Sequence, residues 1–392
     1  MSITYPDVNS MRRVLSGGML IVILLMLSAC EEIPAIQPSG KQITIGIIGP
    51  MTGEDRAKGE DGLRGIKAAR HLMPYLDNGD ALELVVEDDH NDSQETTRLI
   101  RWMAEEKQVA AILLLSSSAQ ALKAGAIADA YKLPVLTLPA THTDVVKDRE
   151  YISQLAFDNY FQGRVAAMFL RDDLLLDRVA IVSNVTSFNS TQLAEEFIRK
   201  FTASGGQVTY SFILDQIADD YVAAMRQAQA KGAEALYLPV GAGNVLDLVE
   251  AARESGWDPV ILGSDGLLAT VLTQYADQGK MLEGIYATDF FSHYMPRTDF
   301  GERVGKAYDQ LFDVASNTYT GLGSEGYMVL ASAMNRCEDK TDRDCINRMV
   351  RDSRNLEGVI GYISISEDGR GMRPIVVNAI RNGQMEYIVK VY

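Results

Sequence analysis

Two doubly wound α/β lobes are the architecture this sequence predicts, and three observations predict it. Short β-rich runs alternate with longer amphipathic stretches, most of the runs are continuously apolar, and they fall into two series of four. A continuously apolar strand is one buried on both faces, as in a parallel sheet covered by helices. Repeated strand–helix alternation builds such sheets and neither an all-β fold nor a helical bundle. The first series is Ile43–Ile48, Leu82–Val86, Val109–Leu115 and Pro134–Leu138. The second is Arg178–Ser183, Gln207–Phe212, Ala235–Leu238 and Pro259–Leu262. Between them, Ala194, Phe197, Ile198 and Phe201 recur at helical spacing, as do Tyr327, Leu330, Ala331 and Met334.

The composition agrees and narrows the function. The chain has 392 residues, 47% hydrophobic and 23% charged, which is globular and long enough for two cores. A net charge of -16 argues against nucleic acid and against charge-driven docking on an anionic membrane, both of which call for a Lys/Arg surplus. Three cysteines are too few for a disulfide scaffold.

The N-terminus reads as an export signal. Arg12 and Arg13 precede the apolar run Met19 to Leu27, and Leu27-Ser28-Ala29-Cys30 follows it. Nine helical residues rise only about 14 Å, too little for a hydrocarbon core of about 30 Å. Met11 would open a signal of ordinary length. Leu-Ser-Ala-Cys also resembles a bacterial lipobox, which makes residues 1–29 a lipoprotein signal peptide and Cys30 the lipidated first residue. Removing Asp7, Arg12 and Arg13, together +1, leaves the mature part at -17. Residues 30–41, with Pro34, Pro38 and Gly40, read as a tether. In an exported chain Cys337 and Cys345 are expected to pair across a short polar loop.

Ligands of open α/β sheets bind beyond the carboxyl ends of the strands, so the loops after the apolar runs carry the candidates. Ser116-Ser117-Ser118 lies at a strand-to-helix junction, where serine hydroxyls and unpaired N–H groups suit an anion, or where serine simply caps the helix. Asp265, in Gly263-Ser264-Asp265-Gly266, reads either as a partner for a ligand ammonium or as a helix cap. His71 reads as mid-helix, and His90 and His293 as polar-loop residues. Only His142, in Pro139-Ala140-Thr141-His142-Thr143, falls at a candidate site. The acidic run Glu87 to Asp92 lacks the spacing of a calcium loop and reads as a solvated loop with Asp92 as a cap. No metal spacing, phosphate loop or nucleophile elbow is visible, so no metal, no cofactor and no catalysis are assigned.

These residues resemble a known family. Ile43 to Gly53 with Gly59 and Gly65, Leu115 to Ser118, Pro139-Ala140-Thr141, Arg178 to Ser183, Leu356 to Gly361 and the Asp368-Gly369 turn are similar, in order and spacing, to the type I periplasmic solute-binding proteins of ABC transporters, in the leucine/isoleucine/valine-binding branch. The resemblance spans Gln42 to Tyr392. It implies two lobes, 42–157 plus 290–361 and 158–289 plus 362–392, joined by a hinge crossed near Asp158, near Thr288–Phe291 and near Tyr362. It implies that Ser116 and its neighbours Ser117 and Ser118, with Ala140 and Thr141 or Thr143, grip a carboxylate. Asp265 would meet the ammonium, and Phe188 and Tyr319 would wall the pocket. The family's threonine aligns with His142, a first-loop aromatic with Lys58 and a tyrosine of lobe two with Gly241, so the side-chain pocket is altered and leucine itself is doubtful as the ligand.

The function this implies is a non-enzymatic, lipid-anchored, extracytoplasmic receptor that delivers an amino acid or similar small molecule to an ABC permease. The competing reading is an envelope lipoprotein using the same fold to regulate another protein. An exported hydrolase using Ser116 or His142 is a third, for which no base–orienter pair is visible.

Overall fold

The structure is a computed structural model, and it describes residues 36–214, 220–274, 281–292 and 297–392. The export segment, Cys30 and His293 lie outside the described residues.

The first half runs β1 (Gln42–Gly49), α1 (Arg56–Leu72), β2 (Ala81–Asp88), α2 (Ser93–Glu105), β3 (Ile112–Leu114), α3 (Ser118–Tyr131), β4 (Val135–Thr137) and β5 (Ile152–Gln154). Its five strands form a parallel sheet in the order β2-β1-β3-β4-β5. Why the runs are continuously apolar is visible in β3. Leu113 joins the core on one face with Ile45 and Ile47, while Ile112 and Leu114 join the core on the other with Ile48. The run expected over Val109–Leu115 is strand only over Ile112–Leu114, but hydrogen bonding to β1 continues on either side, the Ala110 N–H donating to the Thr44 carbonyl and the Leu115 N–H to that of Ile48.

The second half runs α4 (Asn159–Met168), β6 (Arg178–Ser183), α5 (Phe188–Ala203), β7 (Gln207–Ile213), α6 (Tyr221–Ala230), β8 (Ala235–Leu238), α7 (Ala242–Glu254), β9 (Val260–Gly263), α8 (Leu267–Gln274) and β10 (Ile285–Asp289). Then come α9 (Asp299–Leu311), α10 (Thr318–Asn335), α11 (Arg343–Arg351), β11 (Leu356–Glu357), β12 (Tyr362–Ile365), β13 (Gly371–Met372), β14 (Ile375–Arg381) and β15 (Gln384–Val391). The second sheet has seven strands in the order β15-β14-β10-β9-β8-β6-β7, with β14 and β15 antiparallel. Neither β10 nor this closing hairpin was among the expected strands. Tyr362 begins β12 in a separate three-stranded sheet, and the chain joins the seven-stranded sheet at Ile375.

The late helices return to the first sheet. Helix α10 lies so close on α1 that a Cβ on Gly65 would come 2.0 Å from the Thr320 carbonyl oxygen, and one on Gly323 would come 2.0 Å from that of Gly62. Ser324 Oγ donates to the Gly65 carbonyl across this contact, at 3.0 Å. His71 falls in the last turn of α1 rather than mid-helix. Cys337 and Cys345 are joined, Sγ–Sγ 2.10 Å, tying the end of α10 to α11.

Three segments pass between the two sheets, and one buried cluster gathers them. Phe157, after β5, stacks on Phe290, after β10, with ring centroids 4.0 Å apart. Arg373, just before β14, lies over the Phe290 ring and forms a fully buried ion pair with Glu325 of α10, at 2.6 Å. Glu325 also accepts from the Val359 N–H at 2.7 Å, so both of its oxygens have partners.

Candidate functional site

The loop after β3 places its three serines differently. Ser116 is buried and its hydroxyl donates to Asp89, which also accepts from the Thr96 hydroxyl and the Asn91 N–H. Ser117 is the N-terminal flanking residue of α3, yet its side chain does not cap the helix and donates to Gln120 Oε1 at 2.5 Å. Ser118 Oγ accepts the backbone N–H groups of Thr141 and His142, at 3.1 and 3.2 Å. The loop after β4 is thereby fastened to the start of α3. Gln154 of β5 pins it from behind, its Nε2 donating to the carbonyls of Ala140 and His142, both at 3.0 Å. Ala140, Thr141 and His142 are all buried.

His142 Nδ1 accepts the N–H of Asp144 at 3.2 Å, which leaves the ring proton on Nε2. Burial lowers its pKa, favouring the neutral ring. The imidazole meets the edge of Phe188, centroids 6.0 Å apart, which reaches it from the first residue of α5. Phe188 is otherwise 66% exposed. Thr143 and Gln192 of α5 bond twice across the same gap, at 2.6 and 3.2 Å. Gly241 stands apart: a Cβ there would meet only Asn244 Oδ1, at 3.9 Å, so the place aligned with an aromatic is open space.

Asp265 follows β9 and is half-buried. It accepts from Gln162 Nε2 of α4 at 2.9 Å, and the same nitrogen donates to Thr288 Oγ of β10 at 2.8 Å. Burial raises the Asp265 pKa, while the Gln162 bond and the charge of Lys58 oppose the rise. Lys58 stands at the start of α1 with its Nζ 2.6 Å from Asp55. Tyr319, in the first turn of α10, crosses to the residue after Asp265. Gly266 has φ +72°, and a Cβ there would lie 2.6 Å from the Tyr319 hydroxyl, so only glycine admits this approach. Burial, then Asp265 and Asp289, push the Tyr319 pKa well up.

Asp289 was not anticipated. It ends β10, is wholly buried, and accepts on Oδ1 from Thr318 Oγ and from the Phe290 N–H, both at 2.7 Å. Burial raises its pKa to about 7, Asp265 adding to the rise and the hydrogen bonds opposing it. An acid closing a strand at its carboxyl end was the signal available, had β10 been read as a strand. The partners Asp89, Gln154, Gln162 and Gln192 gave no local signal, since each acts over a long sequence separation. The acidic run after β2 spends itself locally: Asp92 caps α2 by accepting from the N–H groups of Gln94 and Glu95, as expected, and Asp88 accepts from Met51 N and Thr52 Oγ. Among the described residues, no helix is long and apolar enough to cross a membrane.

The arrangement is two facing walls. One carries Ser116, Ser118, Ala140, Thr141 and His142 with Tyr319 and Lys58; the other carries Phe188, Asp265 and, in the open, Gly241. Between them these walls present hydroxyl, imidazole, carboxylate and ammonium side chains.

A sequence model described as "Periplasmic binding protein" matches residues 42–384. An amino acid binding protein of Pseudomonas aeruginosa is 21% identical over 249 residues, 63% of this chain and 66%, just under two thirds, of that relative. Among solved structures, a leucine-binding protein from Thermotoga maritima is 27% identical with a TM-score of 0.80, covering 89% of this chain and 98% of that one. The isoleucine complex of a branched-chain amino acid transporter substrate-binding protein from Streptococcus pneumoniae is 21% identical with a TM-score of 0.77, over 90% of this chain and 100% of its own. A solute-binding protein of an ABC transporter from Rhodopseudomonas palustris, in complex with 3,4-dihydroxybenzoic acid, is 19% identical with a TM-score of 0.77, over 89% and 97%.

Proposed function

The chain belongs to the periplasmic binding protein family, in its type I form, and from that premise we propose that it is the extracytoplasmic solute receptor of an ABC transporter. It holds an amine-bearing, amino acid-like small molecule between its walls and passes it to a membrane permease. Of the similar structures, one is a leucine-binding protein, one holds isoleucine and one holds 3,4-dihydroxybenzoic acid. The observation that carries the reading is Asp265, a half-buried carboxylate facing Tyr319 and Lys58 from the opposite wall. A carboxylate so placed answers an ammonium, and the start of α3 answers a carboxylate. No group in the two walls is set as a nucleophile with its base, so the reading is binding without turnover.

The lobes we propose are residues 42–157 plus 290–372 and residues 158–289 plus 375–392, the third crossing falling at Arg373 and Pro374 beside the buried ion pair. Ligand contact with both lobes favours a closed state. Cys30 is the proposed lipid attachment, which holds the receptor at the membrane on the extracytoplasmic side.

Thermal-shift and calorimetric titration with amino acids, small amides and aromatic acids test the reading. A ligand specific to the folded state raises stability by about 2.7 kcal/mol at 100 times Kd. Asp265→Ala is expected to weaken an amine ligand at least a hundredfold, since an enclosed ammonium left without its anion costs about 3–5 kcal/mol, while circular dichroism stays native. Undiminished affinity removes Asp265 from the site. Silence of the wild-type protein across the panel favours the protein-regulating lipoprotein instead.

A further inference from the structure

Resting on the receptor reading, we infer that the solute carries two cationic nitrogen centres, as a basic amino acid or a small diamine does, and that Asp265 and Asp289 hold one or both of them together.

The argument is an inventory of hydrogen-bond groups and charge. Among the described residues Asp289 Oδ2 is buried with no partner of hydrogen-bond geometry, although the Gly266 N–H acts on its carboxyl, and Gln162 Oε1, whose Nε2 binds Asp265, is likewise unpartnered. With the half-buried Asp265 carboxylate they leave more acceptor positions than donors in the site, a surplus that donors brought by a solute fill. The phenols of Tyr319 and of the buried Tyr237 on β8 lie within reach of the Asp265 charge, but a phenol is neutral and offers one proton. The other wall has fewer donors to give than its composition suggests. The Ser116 hydroxyl is spent on Asp89, and the N–H groups of Thr141 and His142 are spent on Ser118 Oγ.

Charge points the same way. Asp55 has Lys58 and Asp61 has Arg64, whereas among the described residues neither Asp265 nor Asp289 forms an ion pair. Burial and Asp265 favour the protonated form of Asp289 in the empty site, so one ammonium is answered by Asp265, and a second cationic centre gives Asp289 the partner that lets its proton leave. On the far side of Asp289, beyond Phe290, the Arg373 charge is already matched by Glu325.

Isothermal titration of the purified protein with L-lysine, L-arginine and agmatine, beside L-leucine and 4-hydroxybenzoate, tests this. The expected result is binding of at least one dicationic probe and a loss of tenfold or more in Asp289→Asn, with Asp265→Asn weaker still. Melting curves report whether each variant is folded. Where Asp289→Asn does not fold, titration of the wild-type protein at pH 7 in two buffers of different ionisation enthalpy replaces it: proton release on binding the dication supports the paired acids, and none overturns them. Binding of leucine or 4-hydroxybenzoate without any dicationic probe overturns the inference and leaves the receptor reading standing. So does unchanged dication affinity in a folded Asp289→Asn. No binding of any probe by the wild-type protein overturns both.

Discussion

Asp289 makes the stability of the empty protein depend on pH, and the sign follows from its environment. Its folded pKa is about 7 against an ordinary 3.8, because burial and the facing Asp265 disfavour the anion. Between those values the folded state holds a proton that the unfolded state has lost, so stability falls as pH rises from about 4 through about 7. The gap corresponds to a destabilisation on the order of 4 kcal/mol above pH 7. Asp289→Asn cannot ionise, so urea unfolding should find it close to wild type at pH 4 and more stable by a few kcal/mol at pH 8. An equal difference at both pH values would mean that Asp289 does not titrate in this range. At this scale the sequence was informative where a polar residue follows an apolar run, as Ser116 and Asp265 do. It was silent where a partner is distant: Asp89 lies 27 residues before the serine it binds.

Helix α10 was legible from Tyr327, Leu330, Ala331 and Met334 at helical spacing, all of which are buried. Its most demanding positions are elsewhere, at Gly323 and at the facing Gly65, where backbone meets backbone. Gly323→Ala must push α10 off α1, and overpacking of this kind costs about 1–3 kcal/mol or more. A drop of that size in unfolding free energy is expected, with the circular dichroism spectrum retained; a neutral substitution would mean that the helices part easily. The parallel strands were legible because burial on both faces makes them continuously apolar. The closing hairpin was not read although it carries a signal: Asn382-Gly383, both at positive φ, joins β14 to β15. Strand β10 escaped because its run, Ile285 to Asp289, is short and ends in two polar residues, Thr288 and Asp289, rather than continuing apolar.

Across the molecule, the three passing segments meet at Phe157, Phe290 and Arg373, and the ion pair with Glu325 sits among them with side chains 2% and 1% exposed. Removing one partner of such a pair leaves the other charged and enclosed, which costs about 3–5 kcal/mol. Arg373→Met should therefore destabilise the whole protein by that amount, and Arg373→Met with Glu325→Gln should recover most of it while keeping an acceptor for the Val359 N–H. Failure of the second change to rescue would place the contribution of Arg373 in its packing on Phe290. The division into two α/β units was legible from the two series of runs. The return of α9 to α11 to the first sheet was not, because nothing local marks which sheet a helix covers. The strand pairing of β10 with β14, Tyr286 opposite Ala379, and the seating of α10 on α1 share one consequence. A nascent chain emerging from the ribosome has neither unit complete until the segments after β10 are made, the first waiting for α9 to α11 and the second for β14 and β15. A partly made polypeptide therefore cannot lock into its final form, and folding of both units waits on most of the chain.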